Sequence, residues 1–214
     1  MAPGALVPSR RVLRGLVVLS WLVALVLGAH YTGTAQPGTL DSEIATWVHA
    51  TFGDRDGAAP VLIWTSTPRV VYAVIAATAL VGLLRRKWEF AALAVVGPAV
   101  VVGLVELVGK PLVDRRMMDI LCYPSGHTAS AVSALTVAGL GFAGGSGLAR
   151  RLLALAVWLA GTCAVGLGLI AMDYHYPTDV VGAVAVVLGT VLPLAALADA
   201  AAARRRPSAL AARQ

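Results

Sequence analysis

Thr128–Ala149 (TASAVSALTVAGLGFAGGSGLA), Leu152–Met172 (LLALAVWLAGTCAVGLGLIAM) and Val180–Ala198 (VVGAVAVVLGTVLPLAALA) are three successive stretches without a charged side chain. Little more than an arginine pair and a short polar junction separates them. A membrane-spanning helix needs about 20 residues, with roughly 17 as the lower limit, and each of the three is long enough. Upstream, Gly15–Ala29, Val70–Leu84 and Phe90–Val105 are shorter uncharged runs. They reach the same length once polar side chains at their ends snorkel to the interface. The pattern predicts an all-α integral membrane protein, a bundle of six transmembrane helices. Its single domain covers residues 1–214: an N-terminal tail 1–11, a bundle 12–200 with a loop at 31–59, and a basic tail 201–214. Composition points the same way. Only 13% of residues are charged and 58% are hydrophobic, against about 25% charged in a soluble domain, so a water-soluble core is excluded.

Charge placement sets the orientation. Arg10, Arg11 and Arg14 precede the first run, and Arg85, Arg86 and Lys87 follow the second. Arg150 and Arg151 follow the fourth, and Arg204, Arg205, Arg206 and Arg213 follow the sixth. With six spans these groups share one side, which the positive-inside rule makes cytoplasmic, together with both termini. The net charge of +6 then reflects topology and contact with anionic headgroups. Nucleic acid is excluded as a partner, because the arginines are scattered between spans instead of forming one face. Ser9-Arg10-Arg11 ahead of an apolar run also resembles a twin-arginine signal peptide, but no clear Ala-x-Ala site follows Ala29. The excess of arginine over lysine suits a GC-rich bacterial genome, hence a bacterial inner (plasma) membrane. Cys122 and Cys163 lie at different expected depths, so no disulfide is expected between them.

The outer loop 31–59 holds Leu40, Ile44, Trp47, Val48 and Phe52 at helical spacing, with Asp41, Glu43 and His49 between them. That spacing predicts a short amphipathic helix in the outer interface, anchored by Trp47. It is either a tether between spans or a lip guiding a headgroup sideways. His30 and His49 read as interfacial belt residues.

Two polar segments stand at the outer edge: Tyr123-Pro124-Ser125-Gly126-His127 and His175-Tyr176-Pro177-Thr178-Asp179. The first opens a span, so the free N–H groups of its first turn and the helix dipole offer an anion site. Gly126 permits close approach to the backbone, and the Ser125 hydroxyl adds a donor. Lys110, followed by Arg115 and Arg116, places cations on the outer side against the positive-inside trend, as a phosphoryl group would require. Glu106, four residues before Lys110, is spaced to orient it. Pro177 opens the last span, with Asp179 in its first turn and His175 just outside. A carboxylate there can hold one imidazole nitrogen and leave the other nucleophilic.

Lys110, Pro-Ser-Gly-His at 124–127 and His175-x-x-x-Asp179 resemble the three signature motifs of the type 2 phosphatidic acid phosphatase (PAP2) superfamily. The resemblance runs from the third span to the sixth, and the external site fits it. It implies that His175 attacks phosphorus to form a phosphohistidine, with Asp179 orienting the ring. His127 would protonate the leaving oxygen and then activate water. Lys110, Ser125, the Gly126 amide and an arginine would hold the phosphate oxygens, without metal or other cofactor. Two positions depart from the pattern. Where the first motif has Arg-Pro, this chain has Met117-Met118, so Arg115 or Arg116 must take the arginine's role, with Arg115 favoured. Where the third motif begins Ser-Arg, it has Gly168-Leu169.

The resemblance implies a lipid phosphatase acting at the periplasmic or exterior face on a phosphomonoester or diphosphate. Prenyl diphosphate, phosphatidylglycerophosphate, phosphatidate and prenyl-phosphoryl sugar phosphates all fit, and prenyl diphosphate leads because carrier recycling calls for an outward-facing phosphatase. The expected partners are therefore the lipid phosphate and the bilayer. A phosphotransferase of the same fold, and a non-catalytic anion-binding membrane protein or transporter, stay open.

Overall fold

A computed structural model describes residues 6–7, 9–53 and 57–205. Parts of the expected tails 1–11 and 201–214, including Arg206 and Arg213, lie outside these residues. The chain is helical almost throughout: α1 Arg10–His30, α2 Thr39–Phe52, α3 Ala59–Trp64, α4 Pro68–Leu84 and α5 Trp88–Leu104. A π-helical segment, Val105–Gly109, joins α5 to α6 Lys110–Val113. After a hairpin of β1 Arg116–Met117 and β2 Ile120–Leu121 come α7 Gly126–Ala143, α8 Leu148–Ala171 and α9 Pro177–Arg205.

Among the described residues, four stretches can cross a membrane by length and composition: α1, the continuous Trp88–Val113, α8 and α9. The other two expected spans are shorter. α4 is apolar but has 17 residues. α7 has 18 and stops at Ala143, because Gly144 caps it and Gly145 turns the chain at positive φ. The expected run to Ala149 is therefore broken by its own glycines, for which a left-handed turn costs little.

α9 forms the centre, packed against α1, α5 and α7. Val187, Val191 and Ala195 on it are fully buried with Val101 of α5 and Val132 of α7. Close approach to α1 depends on Gly189, whose carbonyl accepts from the Trp21 indole at 3.1 Å. On the same helix Gly182 leaves room for the Tyr123 ring, into which a methyl group would project. Leu19, Leu22 and Leu25 of α1 and Leu152, Leu155 and Val157 of α8 are exposed. An outside of this kind suits a protein dissolved in hydrocarbon.

The amphipathic helix expected in the outer loop is α2. Its Trp47 faces outward, and its fully buried Val48 packs with Ala59, Ile170, Ala171 and Val180. His49 Nε2 meets Asp173 Oδ1 at 3.3 Å. α2 is thus seated on the α8–α9 junction.

Candidate active site

Three helix ends converge near that junction. The first is the end of α5, where the wider π turn changes the facing of the helix. Single π turns inside α-helices are frequent at functional sites. This one carries Glu106 and leads directly into Lys110, and the two side chains pair at 2.8 Å. The second is the start of α7. Ser125 is its N-cap, fully buried, and its hydroxyl accepts from the Thr128 N–H at 3.2 Å. The amides of Gly126 and His127 are left without a protein acceptor among the described residues. A methyl group at Gly126 would collide with the Glu106 carboxylate and come within 3.5 Å of the Lys110 ammonium. A side chain here would therefore displace the Glu106 carboxylate and disturb the α5 pair.

The third is the start of α9, opened by Pro177, whose missing N–H costs nothing in a first turn. The Asp179 carbonyl accepts from the Ser125 N–H at 3.1 Å, which joins the second and third helix starts. Asp179 is fully buried. Its Oδ2 accepts from the Tyr176 N–H at 3.0 Å and lies 3.6 Å from His175 Nδ1. That last distance is an electrostatic contact, longer than a hydrogen bond. With Nδ1 facing the carboxylate, His175 is left to present Nε2. The His127 and His175 rings stand 6.3 Å apart between centroids, tilted by 63°. His175 is 8% exposed, whereas His127 is open.

His127, Gly126, Lys110 and Glu106 form the polar end of a cavity of about 570 Å³. From there it runs between α4 and α5 over Val71, Tyr72, Ile75, Val95, Pro98 and Val102. The site is therefore one mouth of an apolar groove.

Arg115 occupies a place that its expected role as a phosphate ligand does not describe. It is fully buried behind His175, not open to the cavity. Nη1 donates to Asp179 Oδ1 at 2.6 Å and to Thr178 Oγ1 at 2.7 Å, and Nη2 donates to Asp41 Oδ2 at 2.6 Å. The guanidinium carbon lies 3.7 Å from the Tyr31 ring centroid and 4.3 Å from that of Tyr176, close enough for cation–π attraction. Burial works against the charge of Arg115, but the Asp179 and Asp41 carboxylates outweigh it and hold the group more firmly protonated than usual. Arg116 is exposed in β1, 2.8 Å from Asp114. The structure thus brings together Lys110, Ser125, Gly126, His127, His175 and Asp179, puts Arg115 behind them, and leaves Arg116 outside.

Asp41, Thr178, Tyr31 and Tyr176 went unassigned in the sequence reading. For Asp41 a signal existed: with Ile44 and Val48 it falls on the i, i+3, i+7 stripe that α2 buries. A carboxylate on an apolar stripe needs a partner. Among the described residues no group of three or more His, Cys, Asp or Glu is arranged to hold a metal ion. Cys122 and Cys163 are both free, and burial pushes the Cys122 thiol up.

The comparisons bear on this arrangement directly. Residues 112–205 match the family model of the PAP2 superfamily. Over this stretch the chain is similar to that superfamily. The match covers the α7 start, His175 and Asp179, and it begins just after Lys110. Members of the superfamily are phosphatases acting on phosphate esters. Neither a curated protein nor a solved structure matches the chain.

Proposed function

We propose that this protein hydrolyses the phosphomonoester or diphosphate of a membrane lipid through a phosphohistidine. The observation that carries the reading is His127 at the polar mouth of an apolar groove, with the His175 ring 6.3 Å from it between centroids. A phosphoryl group seated on the Lys110 ammonium and the Gly126 and His127 amides would meet His175 on one side and His127 on the other. His175 Nε2 attacks phosphorus as the bond to the leaving oxygen breaks, and His127 gives that oxygen a proton. Neutral His127 then takes a proton from water as it attacks the phosphohistidine, releasing phosphate and restoring both rings. Asp179 stabilises the positive charge on His175 in the first step.

The groove supports a lipid substrate, since an acyl or prenyl chain can lie along α4 and α5 while its headgroup reaches His127. Prenyl diphosphate, phosphatidate, phosphatidylglycerophosphate and prenyl-phosphoryl sugar phosphates are the candidates. Six spans, with α4 and α7 crossing beside the four longer ones, would put this mouth at the outer face of a bacterial plasma membrane.

The test is phosphate release by purified protein from a panel of these lipids, with and without chelator and with acceptor alcohols added. Release that survives chelation and disappears in His175→Ala supports the reading. Phosphoryl transfer mainly to the alcohols would make the protein a phosphotransferase. Equal release from His175→Ala would overturn the mechanism.

A further inference from the structure

We infer that Asp41, on the outer helix α2, is a positioning residue for the reaction: through Arg115 it sets how much negative charge Asp179 presents to His175. This rests on the phosphatase reading for its kinetic consequences, though the geometry stands independently.

Asp41 is fully buried and accepts at both oxygens. Oδ1 takes the Thr178 N–H at 2.9 Å. Oδ2 takes Arg115 Nη2 at 2.6 Å, the Thr178 hydroxyl at 3.0 Å and the Gly38 N–H at 3.3 Å. Arg115 therefore stands between two buried carboxylates, one from α2 and one from the first turn of α9. Thr178 completes the link, since its hydroxyl accepts from Arg115 and donates to Asp41.

The charges explain why two carboxylates are used. A single buried Arg115–Asp179 pair would be neutral, and Asp179 would have little field left for His175. Sharing the guanidinium with Asp41 leaves the buried triad with one net negative charge. The oxygen that Arg115 does not take, Asp179 Oδ2, accepts from the Tyr176 N–H and lies 3.6 Å from His175 Nδ1. The negative charge is thereby directed at the ring that becomes positive when it attacks phosphorus. Few other groups compete there. His127 faces His175 from α7, with Lys110 and Glu106 of the α5 end beyond it, and the Cys122 thiol donates to the Arg115 carbonyl at 3.3 Å. Asp173, on the α8–α9 junction, is engaged by His49 of α2.

The experiment compares purified wild type, Asp41→Asn, Asp41→Glu, Thr178→Val and His175→Ala on a lipid phosphate across pH. Asp41→Asn should lower kcat about tenfold with KM unchanged. It should also move the acidic limb of kcat/KM about one unit to lower pH, the equivalent of one unit less stabilisation of the charged ring. Asp41→Glu, which keeps the charge, should return the limb toward wild type, and Thr178→Val should shift it the same way as Asp41→Asn but less. An unmoved limb in Asp41→Asn, with only the melting temperature lowered, would overturn the inference and make Asp41 a packing residue. If Asp41→Asn does not fold, an unmoved limb in Thr178→Val has the same meaning. Absence of phosphate release from wild type would strike the phosphatase reading instead. The inference would then be decided by NMR titration of histidine-labelled protein, with His175 assigned through His175→Asn. A lower His175 midpoint in Asp41→Asn, or in Thr178→Val, supports it, and an unchanged one overturns it.

Discussion

His127 and His175 are the same residue type in different surroundings, and in the proposed reaction those surroundings suit different work. His175 is almost enclosed, with Asp179 behind one nitrogen, which suits the nucleophile we propose. His127 is open, on the first turn of a helix and beside Lys110, where water and a leaving oxygen can both reach it. His175→Ala should abolish turnover, whereas His127→Asn should lower kcat by about 10²–10⁴ and allow the phosphohistidine to accumulate. Alkali-quenched, phosphate-labelled protein would show that accumulation, because the P–N bond of a phosphohistidine survives base and not acid. Asp41 allows a prediction about stability. Burial opposes its charge, but hydrogen bonds from Arg115 and Thr178 outweigh it and hold its carboxyl below the ordinary value. The stabilisation is therefore complete above the ordinary carboxylate range and is lost as pH falls through the depressed folded-state value. Thermal melts from neutral to acid pH should fall more steeply for wild type than for Asp41→Asn. The sequence made both histidines legible because each stands in a short polar segment beside a proline-started helix. It did not make the place of Arg115 legible. Adjacent arginines look alike in a string, and only the packing of Tyr31, Asp41 and Tyr176 around one of them separates Arg115 from Arg116.

At the scale of elements, the end of α5 does most to shape the mouth of the groove. The sequence spacing of Glu106 and Lys110 foretold their pairing. The π turn that carries Glu106 was not foreseen, because it leaves no mark in a run of apolar residues. Gly126→Ala should abolish activity while leaving the fold intact, since the added methyl meets the Glu106 carboxylate; circular dichroism beside the phosphate assay checks both. The groove between α4 and α5 gives a prediction that separates chain from headgroup. Ala99→Phe, on its α5 wall, should raise KM for a long-chain lipid phosphate about tenfold or more. It should leave hydrolysis of a short-chain ester near wild type, as expected where uniform binding energy is lost. α2 was legible as an amphipathic helix from Ile44, Trp47 and Val48. Its seat on α8 and α9 was not, because Asp41 marks the buried stripe but its partners, Arg115 and Thr178, lie more than seventy residues away in sequence.

For the whole molecule, the long uncharged runs made the class legible, and four of them became helices able to cross a bilayer unaided. α4 and α7 fall short for different reasons: α4 is apolar but has 17 residues, whereas α7 has 18 but carries His127, Thr128, Ser130, Ser133 and Thr136 and is less apolar. Both pack against α5, and α7 also packs against α9, so neighbouring helices cover much of their surface. In a background without Cys122 and Cys163, a cysteine at Ser130 should react with an impermeant reagent outside intact cells. One at Gly147 should react only after lysis. The reverse pattern would turn the histidines toward the cytoplasm and change the available lipids. The most direct test of the central claim is phosphate release from long-chain lipid phosphates by purified wild type and His175→Ala, both in chelator. The account predicts steady release by wild type and none by His175→Ala; equal release by both, or none from wild type on any lipid phosphate, would contradict it.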